Sequence, residues 1–327
     1  MRTTVALLEA RPATVADDYR RLLALADLPA ADGPVRLIAA AGDGAAEPGR
    51  VAPAWLVAAC LERSAPGGTV FPVAAAGGRG RAPADWSPVL AAAGAAAADP
   101  DQWDLRRVHP HGRVPGLEAV LPAGLHVPAG LQAARPLLAA VPTVGGGWPV
   151  AGATALLLRL LAPRPRRPRR LPLAELLAEA AALAAETMAP RGAVLDATVW
   201  HVVESPWRRS AVGRNILLAG ADPVAVDAVA CRLAGAEPRR VPWLRLCSER
   251  GVGEGRPDRI RLVGQTELLD LDFALPQHTL VAADRLPARR PLADLLDNLI
   301  RRPARVRGHR PTPWGRLHEA YGRGQKA

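Results

Sequence analysis

The chain has 327 residues, of which 49% are hydrophobic but only 4% aromatic, so a large core can form and must be built mainly from alanine, valine and leucine. The formal charge of +11 is uneven, because much of the excess lies in the Pro/Arg segment 163–170 and after residue 285. Aromatic residues that could stack on bases are sparse there, which disfavours a nucleic-acid-binding protein.

The first half alternates strand-like apolar runs with helix-like segments. Strands that alternate with helices form a mainly parallel sheet with helices on both faces, which is a three-layer α/β fold. Glycine-rich loops follow several of these strands, but none has the G-x-G-x-x-G spacing of a dinucleotide site. The predicted strands are 4–9, 35–41, 69–73 and 136–144, with short ones around Val108 and at 117–121, and the predicted helices are 14–25, 53–63, 84–98 and 151–161.

The second half begins after a Pro/Arg connector, 163–170, and repeats the alternation of helices and strands. We expect one α/β domain over residues 1–270, or two halves, 1–162 and 171–270, joined by the connector. A C-terminal extension, 271–327, should add one helix and an extended basic arm. The predicted elements are helix 173–188, strand 193–199, a loop through 204–213, strand 216–219, helix 223–233, helix 241–251, strand 259–263 and helix 291–299.

Cysteine spacing and the N-terminal sequence indicate the compartment. Cys60, Cys231 and Cys247 form no C-x-x-C pair, which disfavours a zinc ribbon, a redox dithiol and an iron–sulfur cluster. The N-terminus has no long apolar core of a signal peptide, and the longest aliphatic runs are too short to span a bilayer. We therefore expect a cytoplasmic protein with reduced thiols and no membrane span.

The stretch 215–235 is the one around which the second half is organised. Within it, 216–219 is a short apolar run typical of a strand buried on both faces of a sheet. Asp222 then occupies the N-cap position of a helix, and Pro223 occupies its first turn. Asp227 is a carboxylate inside this otherwise apolar helix, so it needs either hydrogen-bond partners or a ligand.

Three strings in this half form a recognisable set. They are Val194-Leu-Asp-Ala-Thr198, Glu204-Ser-Pro206 and Ile216-Leu-Leu-Ala-Gly-Ala-Asp-Pro-Val-Ala-Val-Asp-Ala-Val-Ala230. The set resembles the family called domain of unknown function 362 over about residues 193–264. The resemblance implies an α/β fold more firmly than an activity. Many members also carry a cysteine-rich, ferredoxin-like segment for iron–sulfur clusters, which this chain lacks.

The resemblance also implies that some site groups are missing. Family members usually carry a Lys-Pro-Asn-type string after an early strand and a Lys-x-Lys-Thr-His-type string after a middle strand. At those places this chain has Ala39-Ala-Ala-Gly42 and Pro142-Thr-Val-Gly-Gly-Gly-Trp-Pro149. The Lys and His groups that could hold an anion or transfer protons are therefore absent, as in a degenerate or repurposed homologue.

Polar residues near the ends of predicted strands 193–199 and 216–219 are the candidate ligand-binding residues. In open α/β sheets, ligands bind outside the carboxyl ends of the strands, where converging carboxylates could hold a divalent metal or perform acid–base chemistry. The structural alternative is that Asp222 only caps its helix and that Asp227 only accepts backbone N–H bonds. The candidates are Asp196, His201, Glu204, Asp222 and Asp227.

Two functions are consistent with these residues. We predict a cytosolic protein that binds a small anionic ligand or a divalent metal at the carboxyl ends of the sheet strands. The alternative is a non-catalytic scaffold or partner-binding homologue that has lost the Lys and His site residues. The substrate, the cofactor and whether the chain is an enzyme stay open. Trp314, Leu317 and Tyr321 of the C-terminal arm could pack against the domain, a protein partner or a second copy of the chain.

Overall fold

A computed structural model of the chain describes residues 3–29, 33–42, 49, 51–62, 65–74, 80–121, 123–145, 148–161, 173–205, 208–271 and 312–323. The strands in these ranges are β1 (Thr3–Glu9), β2 (Pro34–Ala41), β3 (Ala65–Ala74), β4 (Ala96–Ala97), β5 (Leu105–Val108), β6 (Leu125–Pro128), β7 (Leu137–Ala140), β8 (Thr143–Gly145), β9 (Trp148–Ala151), β10 (Gly192–Ser205), β11 (Arg208–Gly220) and β12 (Ile260–Gly264). The α-helices are α1 (Val15–Leu25), α2 (Ala54–Glu62), α3 (Ser87–Ala92), α4 (Pro115–Val120), α5 (Ala153–Leu161), α6 (Leu173–Thr187), α7 (Pro223–Leu233), α8 (Pro242–Glu249) and α9 (Pro313–Gly322).

Eight of the described strands form one sheet in the order β12–β1–β11–β10–β7–β2–β3–β4. The strands of this sheet are parallel to one another except β11, which runs antiparallel to both β1 and β10. The two-stranded ladders β5–β6 and β8–β9 lie outside it. The predicted mainly parallel sheet is therefore confirmed.

Helices cover both faces of the sheet. On β10, the side chain of Asp196 contacts Tyr19 of α1 and Trp55 of α2, whereas the neighbouring Leu195 points toward Gly152 at the start of α5. Successive residues of a strand face opposite sides of a sheet, so α1 and α2 lie on one face and α5 on the other. Helix α7 packs beside α5, and α6 packs against both α5 and α8. The predicted three-layer α/β fold is confirmed.

Aliphatic side chains fill the centre of the sheet, as the composition requires. Residues 5–8 of β1, 137–140 of β7 and 216–219 of β11 are at most 2% exposed. Strands covered by helices on both faces have this continuous apolar character, and each fully buried Leu or Val contributes roughly 1.5–3 kcal/mol. Each short apolar run of the sequence therefore corresponds to one strand that crosses the buried sheet.

The stretch predicted as a loop, 204–213, belongs instead to a long hairpin. Strands β10 and β11 pair from Ala193 opposite Gly220 to Ser205 opposite Arg208, with irregular register at two points. Strand β7 pairs with β10 only over residues 192–195, and β1 pairs with β11 only over residues 216–220. The hairpin therefore extends well beyond the part that pairs with the neighbouring strands.

Other predicted elements also differ from the structure. Residues 117–121, predicted as a strand, lie largely in α4, which begins at Pro115. The predicted helix 84–98 breaks into a 3₁₀ turn, Ala84–Trp86, then α3 and β4, because the left-handed Gly94 turns the chain between them. The last residues, predicted as an extended arm, contain α9 instead.

Two predicted segments, the connector 163–170 and the helix 291–299, lie outside the described residues. The boundary between a domain over 1–270 and an extension over 271–327 stays a prediction. The main sheet combines strands from both sides of the connector, since β7 pairs with β10 and β1 pairs with β11.

The helices in the described ranges include none with the length and apolar character needed to cross a bilayer. Cys60, Cys231 and Cys247 are buried and form no disulfide with one another. Burial raises the pKa of the Cys231 and Cys247 thiols, so neither is poised as a thiolate.

Candidate functional site

The antiparallel direction of β11 separates the five candidate residues. Asp196 on β10 pairs with Leu217, whereas Gly220, at the end of β11, pairs with Ala193 near the start of β10. The carboxyl end of β11 therefore lies at the amino edge of the parallel strands, and Asp222 follows it there. The expectation that the carboxyl ends of these two strands meet at one site is wrong, because the strands form a hairpin and not a parallel crossover.

Asp196 is buried beneath α1 and α2, and its carboxylate is fully hydrogen-bonded. Its Oδ2 accepts bonds from Tyr19 Oη at 2.7 Å and from Trp55 Nε1 at 2.8 Å. Its Oδ1 accepts bonds from the backbone N and Oγ1 of Thr198 at 2.9 and 2.5 Å. Burial raises the pKa of Asp196, and the bonds from Thr198, Tyr19 and Trp55 act in the opposite direction. The carboxylate thereby joins β10 to two helices.

Asp227 caps a helix other than its own. It lies on α7, is fully buried, and accepts backbone N–H bonds from Gly152 and Ala153 at 2.9 Å and from Thr154 at 2.8 Å. These are N–H groups at the start of α5, which lack acceptors inside the helix and carry the positive end of its dipole. Burial raises the pKa of Asp227 to about 6 even though these bonds oppose the shift. These bonds agree with the structural alternative, in which the Asp227 carboxylate accepts backbone N–H bonds and binds no ligand.

Asp222 caps α7 and also holds the loop that precedes β12. Its Oδ1 accepts bonds from the backbone N of Val224 at 2.8 Å and of Ala225 at 3.2 Å. Its Oδ2 accepts a bond from the backbone N of Glu254 at 2.7 Å. Burial raises the pKa of Asp222. The predicted N-cap is therefore present, with a long-range contact that no local pattern indicates.

His201 and Glu204 lie further along β10 than Asp196, on the hairpin. Their side chains lie outside the described part of the structure. By strand position they belong to the opposite edge from Asp222. Across the described residues, no group of three or more His, Cys, Asp or Glu side chains is arranged to hold a metal ion.

Another buried carboxylate, Glu179, was missed by the sequence reasoning. It is 2% exposed on α6 and accepts bonds from the backbone N of Gly116 at 3.1 Å and of Leu117 at 2.7 Å, in the first turn of α4. Burial raises the pKa of Glu179, and the backbone bonds lower it. Its signal in the sequence is weaker than that of Asp227, because α6 also carries Glu175 and Glu186, whereas Asp227 is the one acid of α7.

The pair Asp85 and His318, which the sequence reasoning also missed, lies at the carboxyl edge of the parallel strands. Asp85 is in the 3₁₀ turn after β3, and a bridge between Gly42 and Arg81 holds that segment beside the end of β2. His318 of α9 places its Nδ1 3.5 Å from Asp85 Oδ2. Burial raises the pKa of Asp85, and His318 lowers it. No local pattern connects these residues, because they belong to elements far apart in the chain.

Helix α9 brings further side chains to the same edge. The ring of Trp55 lies 5.6 Å from Trp314, 5.8 Å from Tyr321 and 6.4 Å from His318, measured between ring centroids. Trp314 is 4% exposed, and its Nε1 donates a bond to Asn215 Oδ1 at 2.7 Å. The C-terminal residues therefore pack against their own domain, which is one of the alternatives that the sequence left open.

Comparison with known proteins identifies the central part of the chain. The family model described as Domain of unknown function (DUF362) matches residues 103–232. This part of the chain is similar to the DUF362 family. The resemblance inferred over 193–264 is thus confirmed as far as residue 232, and the family region begins further upstream. The match covers less than half of the 327 residues, and no curated protein and no solved structure matches the chain.

The strands that lead into the two strings at which DUF362 Lys and His groups are expected are neighbours in the sheet. The string 142–149 follows β7, within the DUF362 region, and the string 39–42 ends β2. These strands are parallel neighbours, with Leu37 opposite Leu137. From β2 the chain continues to β3 on one side, and from β7 it continues to β10 on the other. Such a switch point is where open α/β sheets bind ligands.

Proposed function

We propose that this chain binds a small molecule at the carboxyl edge of its parallel strands, with Asp85 and His318 in the wall of the site. The observation that carries the proposal is the Asp85 carboxylate, which is 7% exposed and accepts no hydrogen bond from another described residue. A buried acceptor left without a donor costs roughly 1–3 kcal/mol. Groups of this kind in folded proteins mark sites of binding or proton transfer more often than chance.

The position of Asp85 supports the proposal. It follows β3, and the bridge from Arg81 to Gly42 keeps its segment against the end of β2. Strand β2 borders the switch point of the sheet, where the chain leaves in opposite directions from β2 and β7. A ligand at this crevice would meet the segment that carries Asp85.

The chemistry of the pair suits an anionic ligand. The imidazole of His318, held 3.5 Å from the Asp85 carboxylate, has ring nitrogens that can donate a hydrogen bond to an anionic group or transfer a proton. Trp55 and Tyr321 lie beside His318 and supply apolar walls. The proposal keeps the predicted small anionic ligand but places it at Asp85 and His318. Asp196 is not used, because both of its carboxylate oxygens already accept hydrogen bonds from the protein. The divalent-metal form of the prediction has no support among the described side chains.

A thermal-shift titration of the full chain tests the proposal. The probes are phosphate, diphosphate and simple carboxylates, and the variants are His318→Ala, Asp85→Asn and the control His109→Ala, whose residue is exposed. At least one anion should raise the melting temperature of the wild type and of the control, but not of His318→Ala. If no anion raises it, or if His318→Ala responds like the wild type, the proposal fails.

The alternative function, a non-catalytic scaffold or partner-binding protein, has an observation of its own. Asp196, Asp222 and Asp227 use their carboxylates to hold helices and loops, as a scaffold would require. The same titration separates the two functions, since a scaffold should respond to none of the anions. A partner seated through the C-terminal arm would then be sought by cross-linking of the full chain.

A cytoplasmic location belongs to the same proposal. The three cysteines are buried without forming a disulfide, as is usual where the compartment keeps thiols reduced. Fractionation of the cells that make the protein, with a soluble cytoplasmic enzyme as marker, tests this part. Recovery with membranes or in the medium would contradict it.

A further inference from the structure

An open cleft of about 460 Å³ lies at the opposite edge of the sheet from Asp85 and His318. It is bounded by the loop before β7, by α5, by the end of α6 and by the start of α7, where the antiparallel strand β11 ends. Its volume is in the range of small-molecule sites in proteins. The lining includes Arg135, Leu157, Ala181, Ala185, Pro223 and Val252.

The wall that carries Arg135 is held in an unusual backbone conformation. Arg135 has a φ of 48°, and its N–H donates a bond to the carbonyl oxygen of Met188 at 3.0 Å. Ala189, which also lines the cleft, has a φ of 47°. The left-handed region is unfavourable for residues other than glycine, so the surrounding contacts must hold these residues there. Arg135 is thereby presented at the cleft from a rigid anchor at the end of α6.

The facing wall is equally well held. Asp222 accepts bonds from Val224, Ala225 and Glu254, which tie the start of α7 to the loop before β12. Gly253 of that loop lies so close that an added Cβ would stand 2.5 Å from Val224. The cleft is therefore bounded by two fixed surfaces and needs no rearrangement to accept a ligand.

The charges at the cleft select the kind of ligand. Arg135 is exposed and forms no ion pair with a described residue, so its guanidinium is available to a carboxylate, to which it can donate two parallel bonds. Asp222 also borders the cleft, and its negative charge opposes a ligand with two negative charges. The remaining walls are mostly aliphatic and suit a hydrocarbon chain.

A second open cleft, of about 380 Å³, offers a comparison. It contains more arginines, but Arg239 is bonded to Asp258 at 2.7 Å and Arg256 to Glu254 at 2.7 Å. Arg245 pairs with Glu249, and Arg259 lies close enough to Asp258 to lower the pKa of that carboxyl. The arginines of this second cleft therefore face carboxylates that line the same cleft.

We propose that the cleft at Arg135 binds a small aliphatic monocarboxylate, with its carboxylate on Arg135 and its chain against Leu157, Ala181 and Val252. The proposal is independent of the site at Asp85 and His318, which lies at the other edge of the sheet. It names a ligand of one negative charge and an apolar body, which the sequence alone does not indicate.

Isothermal titration of the full chain with hexanoate tests this inference. Hexanol, a neutral analogue, and hexyl phosphate, which carries a second charge, are the comparison probes. Hexanoate should bind the wild type at least tenfold more tightly than either. The variants are Arg135→Gln and Ala185→Trp, which fills the cleft from an exposed position, and the control is Arg113→Ala at another exposed arginine.

Hexanoate affinity should fall at least tenfold in Arg135→Gln and in Ala185→Trp, and stay unchanged in Arg113→Ala and in His318→Ala. Circular dichroism checks that each variant is folded. The inference is overturned if hexanoate shows no saturable binding to the wild type, or if both cleft variants bind it as the wild type does. Loss of hexanoate binding in His318→Ala would also overturn it, because the ligand would then lie at the other edge.

Discussion

Trp55 Nε1 donates a hydrogen bond to Asp196 Oδ2 at 2.8 Å, and the same indole ring lies 5.6 Å from that of Trp314. One side chain of α2 therefore connects the buried acid of β10 to the C-terminal helix α9. Asp196 falls in the DUF362 region, whereas Trp55 and Trp314 fall outside it. Asp196 is thus bonded to a residue from the N-terminal flank, and that residue in turn packs against one from the C-terminal flank.

Replacing Asp196 by Asn should destabilise the protein by about 2–3 kcal/mol. Whichever way the amide is turned, its NH₂ group faces an N–H donor, from Trp55 on one side or from Thr198 on the other. Urea unfolding followed by circular dichroism measures the change. Asp104→Asn, at an exposed acid paired with Arg106, is the control and should change stability by less than about 0.5 kcal/mol. Equal effects in the two variants would contradict the role assigned to Asp196.

Asp227 should make the protein less stable as the pH rises. Its pKa in the folded protein is about 6, above the ordinary value of 3.8, so the folded state holds this proton more tightly than the unfolded state. Stability linked to Asp227 is then greatest below about pH 4 and is lost as the pH rises to about 6.

The comparison with Asp227→Asn isolates this contribution, because the variant has no proton to lose there. The difference in unfolding free energy, wild type minus variant, should fall by roughly 2–3 kcal/mol between pH 4 and pH 7. Urea unfolding at several pH values measures it. Parallel stability curves for the two proteins would show that the carboxylate titrates as it does in the unfolded chain.

Replacing Trp314 by Ala should release α9 from the domain without unfolding the rest. The change removes the ring packed on Trp55 and the hydrogen bond to Asn215, and truncation of a buried Trp costs about 3–5 kcal/mol. Amide hydrogen exchange over 313–322 should accelerate at least tenfold, while exchange in β1 and β7 stays slow. Trp314→Phe keeps most of the ring and should show a smaller effect. Uniform acceleration across the sheet would mean that α9 is part of the global folding unit.

Replacing Gly253 by Ala should weaken the link between α7 and the loop before β12. The added Cβ would lie 2.5 Å from Val224 and 2.8 Å from Asp222 Oδ1, so the loop must move and the bond from Glu254 to Asp222 lengthens. Overpacking of this kind costs about 1–3 kcal/mol, which thermal unfolding measures. Gly112→Ala, where a Cβ meets nothing within 4 Å, is the matched control. Similar melting temperatures for both variants would contradict the close approach.

The local features of this protein can be predicted from short stretches of its sequence. The apolar run 216–219 is a buried strand, Asp222 and Pro223 start the next helix, and the alternation of strands and helices is a three-layer α/β fold. Apolar period, N-capping and proline placement act within a few residues, so they can be read from neighbouring positions.

The contacts between distant residues could not be predicted from the sequence and are visible only in the folded chain. Strand β11 runs antiparallel because β10 continues into a hairpin, and the choice between a hairpin and a crossover depends on pairing between distant strands. Asp227 accepts hydrogen bonds from backbone N–H groups at the start of α5, and Asp85 lies beside the imidazole of His318 on α9. Such contacts follow from burial, because a carboxylate enclosed by apolar side chains needs a polar neighbour. The packing of the whole chain determines which polar group lies within reach.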